Sequence, residues 1–221
     1  MLRILSAAIL LMTLLVGDAV CQTEPFLDVT KLRVPSNEDA PHTFSGGLSG
    51  LLEGGQPPRP LPIKVTLLRL DKESYRWGEA LVLDVRVENT GDKPVAFPWT
   101  IDSRLSNPGK SAPNSLLVAL LRPLCQRDQT GQNEDLTNGV MPSVVLYGIT
   151  DAPSTFITLQ PGATARIRMP SKISVQTDKL PHFPFEMVVG ARLSFNRGPL
   201  VDHYLPSVSA NSVTINVEAM R

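Results

Sequence analysis

Four aromatic side chains are the residues in this sequence whose chemistry best suits ligand binding. Tyr75 and Trp77 lie in a polar turn, and Phe97 and Trp99 lie in a short apolar run. Rings exposed together can stack on sugars or anchor a partner protein, so we take all four as candidate contact residues. The alternative is core packing, since Phe97 and Trp99 share one face of a strand.

Metal and calcium chemistry has weaker support. The histidines His42, His182 and His203 are far apart, although His182 and His203 flank one apolar run and could share a metal or acid–base role. The alternative is that both are exposed loop residues. Residues 128–135 place several oxygen ligands on one polar loop, as Ca²⁺ prefers, but without EF-hand spacing, so a solvated loop is the other interpretation.

Enzyme motifs are missing from the sequence. It contains no G-x-S-x-G elbow, no H-E-x-x-H, no P-loop and no G-x-G-x-x-G. We therefore predict a non-enzymatic protein without a cofactor. Lys and Arg number 21 and Asp and Glu number 21, so the formal net charge is zero and a nucleic-acid partner is not expected.

The N-terminus has the pattern of a secretory signal. Arg3 precedes an apolar run over residues 4–16, and small residues follow, so residues 1–21 are predicted to be removed. The run is shorter than the roughly 20 residues that a membrane span needs. We expect a secreted, periplasmic or cell-envelope protein without a membrane span. Lipid anchoring at Cys21 is the alternative, against which Asp18 and Val20 argue.

The remaining chain divides into a tether and a domain. Residues 22–60 become rich in Gly, Ser and Pro from residue 45, which predicts a flexible linker, although residues 26–34 have the pattern of a short strand. Residues 61–221 are predicted to form the domain. Two cysteines cannot staple a chain of this size, so Cys125 is interpreted as a small buried side chain, or as a partner of Cys21.

The domain is predicted to be an all-β sandwich of about seven to nine strands. Leu81, Leu83, Val85 and Val87 alternate with charged residues, which predicts one buried face and one wet face. Further apolar segments separated by turn residues follow the same pattern. They lie at residues 63–67, 95–99, 115–122, 142–147, 154–169, 185–195 and 211–217.

Prolines sharpen three of these predictions. Pro94 and Pro98 place the strand between them at a sheet edge. Pro123 is expected to end the run at 115–122, which is read as a strand buried on both faces. Pro161 and Gly162 fit a type II turn, which predicts a hairpin over residues 154–169.

Several motifs resemble those of bacterial immunoglobulin-like domains. They are Tyr75-x-Trp77-Gly78-Glu79, the alternating strand after it, Leu159-x-Pro161-Gly162 and the closing residues 211–217. The resemblance implies an immunoglobulin-like antiparallel sandwich. Residues 89–95 with the Pro–Gly turn are also similar to the bacterial BsuPI proteinase-inhibitor domain, which implies inhibition of a proteinase.

The predicted function is binding without catalysis. We expect an exported protein that contacts another exported or envelope protein. The alternatives are a module that binds a glycan or envelope polymer through the aromatic residues, and a proteinase inhibitor.

Overall fold

A computed structural model describes residues 23–31, 59–60, 62–101, 116–127, 134–135, 144–172, 182–197 and 204–220. These residues form fifteen strands, and one short 3₁₀ turn, Pro153–Thr155, precedes the tenth. In chain order the strands are β1 (Phe26–Asp28), β2 (Arg59–Pro60), β3 (Ile63–Leu70), β4 (Ser74–Arg76), β5 (Ala80–Asn89), β6 (Val95–Pro98), β7 (Leu116–Arg127), β8 (Glu134–Asp135), β9 (Val144–Ile149), β10 (Phe156–Leu159), β11 (Thr164–Lys172), β12 (Phe185–Arg197), β13 (Tyr204–Leu205), β14 (Ser207–Val208) and β15 (Val213–Glu218).

Two sheets dominate the architecture. The four-stranded sheet has the order β1-β11-β5-β3, and the seven-stranded sheet has the order β4-β15-β12-β7-β8, with β14 beside β12 and β9 beside β7. The predicted all-β sandwich is confirmed. The long strands pair antiparallel, and the short strands β1, β2 and β4 pair parallel with β11, β13 and β15.

The core lies between the two sheets. Leu81, Leu83, Val85 and Val87 of β5 are all fully buried, as their alternation predicted. They belong to one apolar cluster with the inward residues of β12, among them Leu193. Cys125 is buried in the same cluster, as a small hydrophobic side chain.

Strand β7 is apolar on both faces, as predicted. Val118 and Leu121 are buried on opposite sides of it. The predicted end at Pro123 is wrong, because β7 continues to Arg127. β9 pairs with β7 only as far as Leu121 and β8 only from Gln126, so Pro123 lies where one edge has no strand partner among the described residues. A residue without an N–H group is tolerated at such an edge.

The Pro161–Gly162 turn forms, but it does not make a hairpin. Gly162 has φ 76°, and the N–H of Ala163 donates to the carbonyl of Gln160 at 2.8 Å. The strands on either side then take different partners, because β10 pairs with β6 and β11 pairs with β5. β6 pairs with β10 alone among the described strands, which agrees with the predicted edge position.

Asn89 stabilises the corner at which β5 leaves the sheet. Its side chain is fully buried, and its Nδ2 donates to the carbonyls of Leu159 and Lys93, both at 2.8 Å. Its Oδ1 accepts from the N–H of Gly91 at 2.9 Å. Asn89 therefore joins the end of β5 to the end of β10 and to the turn that precedes β6.

The folded unit includes residues before the predicted start at 61. β1 belongs to the four-stranded sheet, Val29 is in the core cluster, and Arg59–Pro60 pairs with β13. No helix in the described part of the chain is long and apolar enough to span a membrane. The predicted signal over 1–21, with Cys21, lies outside the described residues, as do most of the loop at 128–135, His42 and His203.

Candidate functional site

Two of the four candidate aromatic residues are core residues. Tyr75 is 1% exposed and Phe97 is 0% exposed, so the prediction that they form contact surface is wrong. The Tyr75 hydroxyl donates to Asp71 Oδ1 at 2.7 Å. Burial, together with this hydrogen bond to Asp71, raises the pKa of Tyr75 well above its usual value.

The other two aromatic residues, Trp77 and Trp99, are half-buried in separate clusters. Trp77 packs edge-to-face on Phe183 and Phe185, with ring centroids 5.6 and 6.1 Å away. Trp99 packs on Phe97, at 6.1 Å. Phe97 in turn contacts Phe195, at the other end of β12 from Phe185. Ten residues of strand span about 33 Å, so the four predicted residues do not form one patch.

The outward face of β5 holds the densest chemistry in the described residues. Asp84 was predicted on a wet face, but it is only 2% exposed. Its carboxylate accepts from Arg166 Nε at 2.6 Å, from a second Arg166 nitrogen, and from Arg69 Nε at 3.3 Å. Arg166 comes from β11 and Arg69 from β3, so guanidinium groups from both neighbouring strands cover the carboxylate.

A β-bulge brings Arg69 to this face. Ile63, Val65 and Leu67 point into the core, and strict alternation would send Arg69 inward as well. The register of β3 against β5 shifts between Leu67 and Arg69, which places Arg69 opposite Asp84. The extra residue therefore turns the guanidinium group outward, since a bulge changes the direction of the side chains that follow it.

Asn211 pairs with the free edge of β3 beside the bulge. The N–H of Leu67 donates to Asn211 Oδ1 at 3.1 Å, and Asn211 Nδ2 donates to the carbonyl of Leu67. The side-chain amide takes the place of a neighbouring strand, so it holds the main chain at the point where the register changes.

A second ion pair continues the pattern toward β1. Arg86 Nε and a second Arg86 nitrogen donate to the two carboxylate oxygens of Glu24, at 2.7 and 3.3 Å. The Phe26 ring is 52% exposed, and its centroid lies 5.2 Å from the guanidinium carbon of Arg166.

We call the outward guanidinium groups of β3, β5 and β11 the arginine face: Arg69, Arg86, Arg166 and Arg168.

The charges on the arginine face are strongly coupled. Burial alone raises the pKa of Asp84, but the hydrogen bonds and charges of Arg166 and Arg69 outweigh this and hold its pKa below the usual range. The hydrogen bond from Arg86 likewise lowers the pKa of Glu24. Both carboxylates are therefore ionised at neutral pH.

Arg168 is the one member of the arginine face that forms no ion pair within the described ranges. Asp28 of β1 lies opposite it in register, and the charge of Arg168 adds to the larger effect of the Thr30 hydrogen bonds in lowering the pKa of Asp28. Arg168 also lies opposite Asp84 in register and half-buried, yet among the described residues its guanidinium group forms no hydrogen bond or ion pair.

Arg168 lines a half-open cavity of ≈ 170 Å³. Asp71, also in the lining, already accepts from the Tyr75 hydroxyl and from the N–H of Val82, both at 2.7 Å. The cavity lining is Arg69, Leu70, Asp71, Val82, Asp84 and Arg168.

Of the two histidines predicted to share a metal site, only His182 lies in the described residues. His182 is exposed. Within the described ranges, no three His, Cys, Asp or Glu side chains come together as a metal site. The acid–base pairing with His203 and the calcium hypothesis for 128–135 involve residues outside those ranges and stay predictions.

The arginine face was missed at the level of sequence, although part of its signal was present. Arg166 and Arg168 alternate with apolar residues, which places both on one face of a strand. Asp84 is a carboxylate in the middle of a strand, and such a group needs partners when buried. The register of β11 and the bulge in β3, which bring the partners together, are not visible in one sequence.

Comparisons with known proteins add little to this geometry. No family model matches the chain, and no curated protein matches it. Among solved structures, the sporulation control protein Spo0M of Bacillus subtilis matches with TM-score 0.36 and 17% identity over 72% of this chain and 51% of that chain. The alkylpurine DNA glycosylase AlkC of Pseudomonas fluorescens matches with TM-score 0.31 and 14% identity over 72% and 31%. A β-glucosidase of Listeria innocua matches with TM-score 0.29 and 10% identity over 71% and 16%.

These similarities are too low to carry an argument about function. The chain also spans only about half of the Spo0M structure, and a smaller part of the other two.

Proposed function

We propose that the protein is a non-enzymatic exported protein that binds another protein through its arginine face. The observation that carries the proposal is Arg168, a half-buried guanidinium group that forms no hydrogen bond or ion pair with a described residue, although the Asp28 carboxylate of β1 lies opposite it in register. Arg168 lies beside Arg69 and Arg166, whose positions Asp84 holds. The planar guanidinium group of Arg168 has donors left for a bidentate pair with a carboxylate side chain of a partner.

The shape of the surface favours a protein over a small ligand. Its cavity of ≈ 170 Å³ is smaller than the roughly 300–1,000 Å³ typical of small-molecule sites. Arginine and aromatic residues are also the types most enriched in protein–protein contacts, and the exposed Phe26 adjoins Arg166 on this face. We therefore expect an exported or envelope partner that presents acidic side chains.

The glycan alternative has less support. A sugar platform needs exposed rings on one surface, whereas Phe97 is buried and the clusters of Trp77 and Trp99 lie near opposite ends of β12. Proteinase inhibition remains a special case of the proposed function, in which the partner is a proteinase. The resemblance to immunoglobulin-like domains stays a prediction.

Affinity capture from the envelope fraction of the producing cells tests the proposal. Arg168→Glu should reduce recovery of the partner at least tenfold, because it places a like charge against the partner's carboxylates. The matched control is Arg76→Glu, which reverses an exposed arginine on β4 of the other sheet. Equal loss with both variants, equal recovery with both, or no partner captured by the wild type would contradict the proposal.

A further inference from the structure

β1 enters the four-stranded sheet from a remote part of the chain. Residues 32–58 separate its segment from the next described residues, and their second half is rich in Gly, Ser and Pro. β1 nevertheless lies at the outer edge of β11, in parallel pairing. The strand is thus a tethered segment that fills an edge which would otherwise be open.

The main-chain pairing between β1 and β11 is short. The N–H of Arg166 donates to the carbonyl of Pro25 at 2.8 Å, and the N–H of Val29 donates to the carbonyl of Arg168 at 2.9 Å. The main-chain N–H and carbonyl groups of the even-numbered residues of β11 therefore point toward β1. Pro170 is the next of them and has no N–H to donate, so the acceptor edge ends there.

Side chains make this edge selective. Glu24 pairs with Arg86, and Phe26 lies against the Arg166 guanidinium group. On the other side of the segment, Val29 is 2% exposed within the core cluster, and Leu27 packs against that cluster. The segment thus presents an acidic residue, an aromatic residue two positions later, and aliphatic residues three and five positions later.

We propose that the edge of β11 is an acceptor site for an extended peptide of a partner protein, and that β1 is its intramolecular competitor. The partner segment carries the same acidic-x-aromatic-aliphatic-x-aliphatic pattern and adds parallel to β11, a recognition mode in which main-chain hydrogen bonds give affinity and alternate side chains give specificity. Such a segment can replace β1 because β1 forms few main-chain hydrogen bonds with β11 and because Phe26 is only half buried. This inference rests on the proposed binding of a protein, but it concerns the sheet edge and does not need Arg168.

Because β1 belongs to the same chain, a competing peptide must bind the edge of β11 tightly enough to displace it. The sequence of residues 32–58 predicts a linker, and attachment through a flexible linker corresponds to an effective concentration on the order of 1 mM. A peptide that makes the same contacts therefore binds the wild type weakly. Disabling β1 should tighten its binding by about tenfold or more.

The test uses the full chain and a synthetic, labelled peptide with the sequence of residues 23–31. Val29→Asp removes the buried anchor of β1, and the double variant Glu24→Gln with Phe26→Ser weakens β1 at the surface in case the first variant does not fold. Both should bind the peptide about tenfold or more tightly than the wild type, as measured by fluorescence anisotropy. The control peptide carries Asp in place of Val29 and should bind none of the proteins.

Hydrogen exchange locates the peptide. The amide of Arg166 should exchange faster in the variants and slow again when the peptide is added, because its acceptor is supplied by the incoming strand. Equal peptide affinity for wild type and folded variants, or binding without renewed protection of Arg166, would overturn the proposal. Because the probe is a defined peptide, the result is independent of whether the arginine face captures a partner.

Discussion

The outer faces of the two sheets are covered in different ways. On the four-stranded sheet, Asp84 and Glu24 hold three of the four guanidinium groups of the arginine face. On the seven-stranded sheet, Val118 and Tyr147 form a second apolar cluster with Val145 and Ile149. The outer face of the four-stranded sheet is therefore charged, whereas that of the seven-stranded sheet is apolar around β9 and carries Arg122 and Arg192 farther along β7 and β12.

We expect the apolar cluster to contribute mainly to the stability of the fold and the arginine face mainly to recognition. Apolar burial depends on area and tolerates many geometries, so the cluster around Tyr147 is expected to stabilise the fold. Ion pairs depend on geometry, and they hold donors such as those of Arg69 and Arg166 in defined directions. The charged face therefore suits the recognition of a partner that we propose, and the following changes test the comparison between the two faces.

The largest effect is expected from Tyr147→Ala on the apolar face. Removing a ring that is buried against Val118 should destabilise the protein by about 3 kcal/mol. The loss should be the same at low and high salt, as measured by urea unfolding. A loss below about 1 kcal/mol would show that this cluster is peripheral.

On the charged face, Asp84→Ala should cost about 2–3 kcal/mol. Arg166 and Arg69 lose their shared acceptor, although both remain partly solvated, which keeps the cost below that of a fully buried pair. The control is Glu88→Gln, because the exposed Lys64–Glu88 pair at 3.8 Å should contribute less than about 1 kcal/mol. Equal effects in the two variants would remove the distinction drawn for Asp84.

Asn211→Ala tests the edge that supports Arg69. The change leaves the N–H and carbonyl of Leu67 without their side-chain partner, at an expected cost of about 1–2 kcal/mol. Hydrogen exchange should show faster exchange of the Leu67 amide, with little change at Val85. Unchanged exchange at Leu67 would mean that the amide is not the partner in solution.

Acid pH should weaken the charged face selectively. The pKa values of Asp84 and Glu24 are lowered in the folded protein, so their stabilisation is complete above the unfolded values of about 4 and is lost as pH falls through the folded values. Unfolding midpoints between pH 5 and 2 should fall less steeply in Asp84→Ala than in the wild type.

Glu24→Gln should reduce this pH dependence by less, and should cost under about 1 kcal/mol at neutral pH, because the Glu24–Arg86 pair is partly exposed. A pH dependence that is identical in all three proteins would place the relevant carboxylates elsewhere.

The alternation in β5 and the apolar run in β7 were sufficient to predict an all-β sandwich, because period-2 burial follows directly from strand geometry. Local turn chemistry was also readable, as the positive φ of Gly162 shows. The same kind of local signal predicted the wrong strand partner at one position and the wrong strand end at another. The turn at Gly162 looked like a hairpin, and Pro123 looked like the end of a strand.

The sequence by itself determined which side chains turn inward along each strand and where the chain must turn. Only the tertiary structure decided that Arg69, Asp84 and Arg166 meet, since they come from three strands whose register and bulge depend on distant residues. It also decided that Trp77 and Trp99 lie apart and that β1 reaches β11. The physical reason is that a strand's periodicity is a property of its own backbone, whereas its neighbours are selected by the free energy of the whole core.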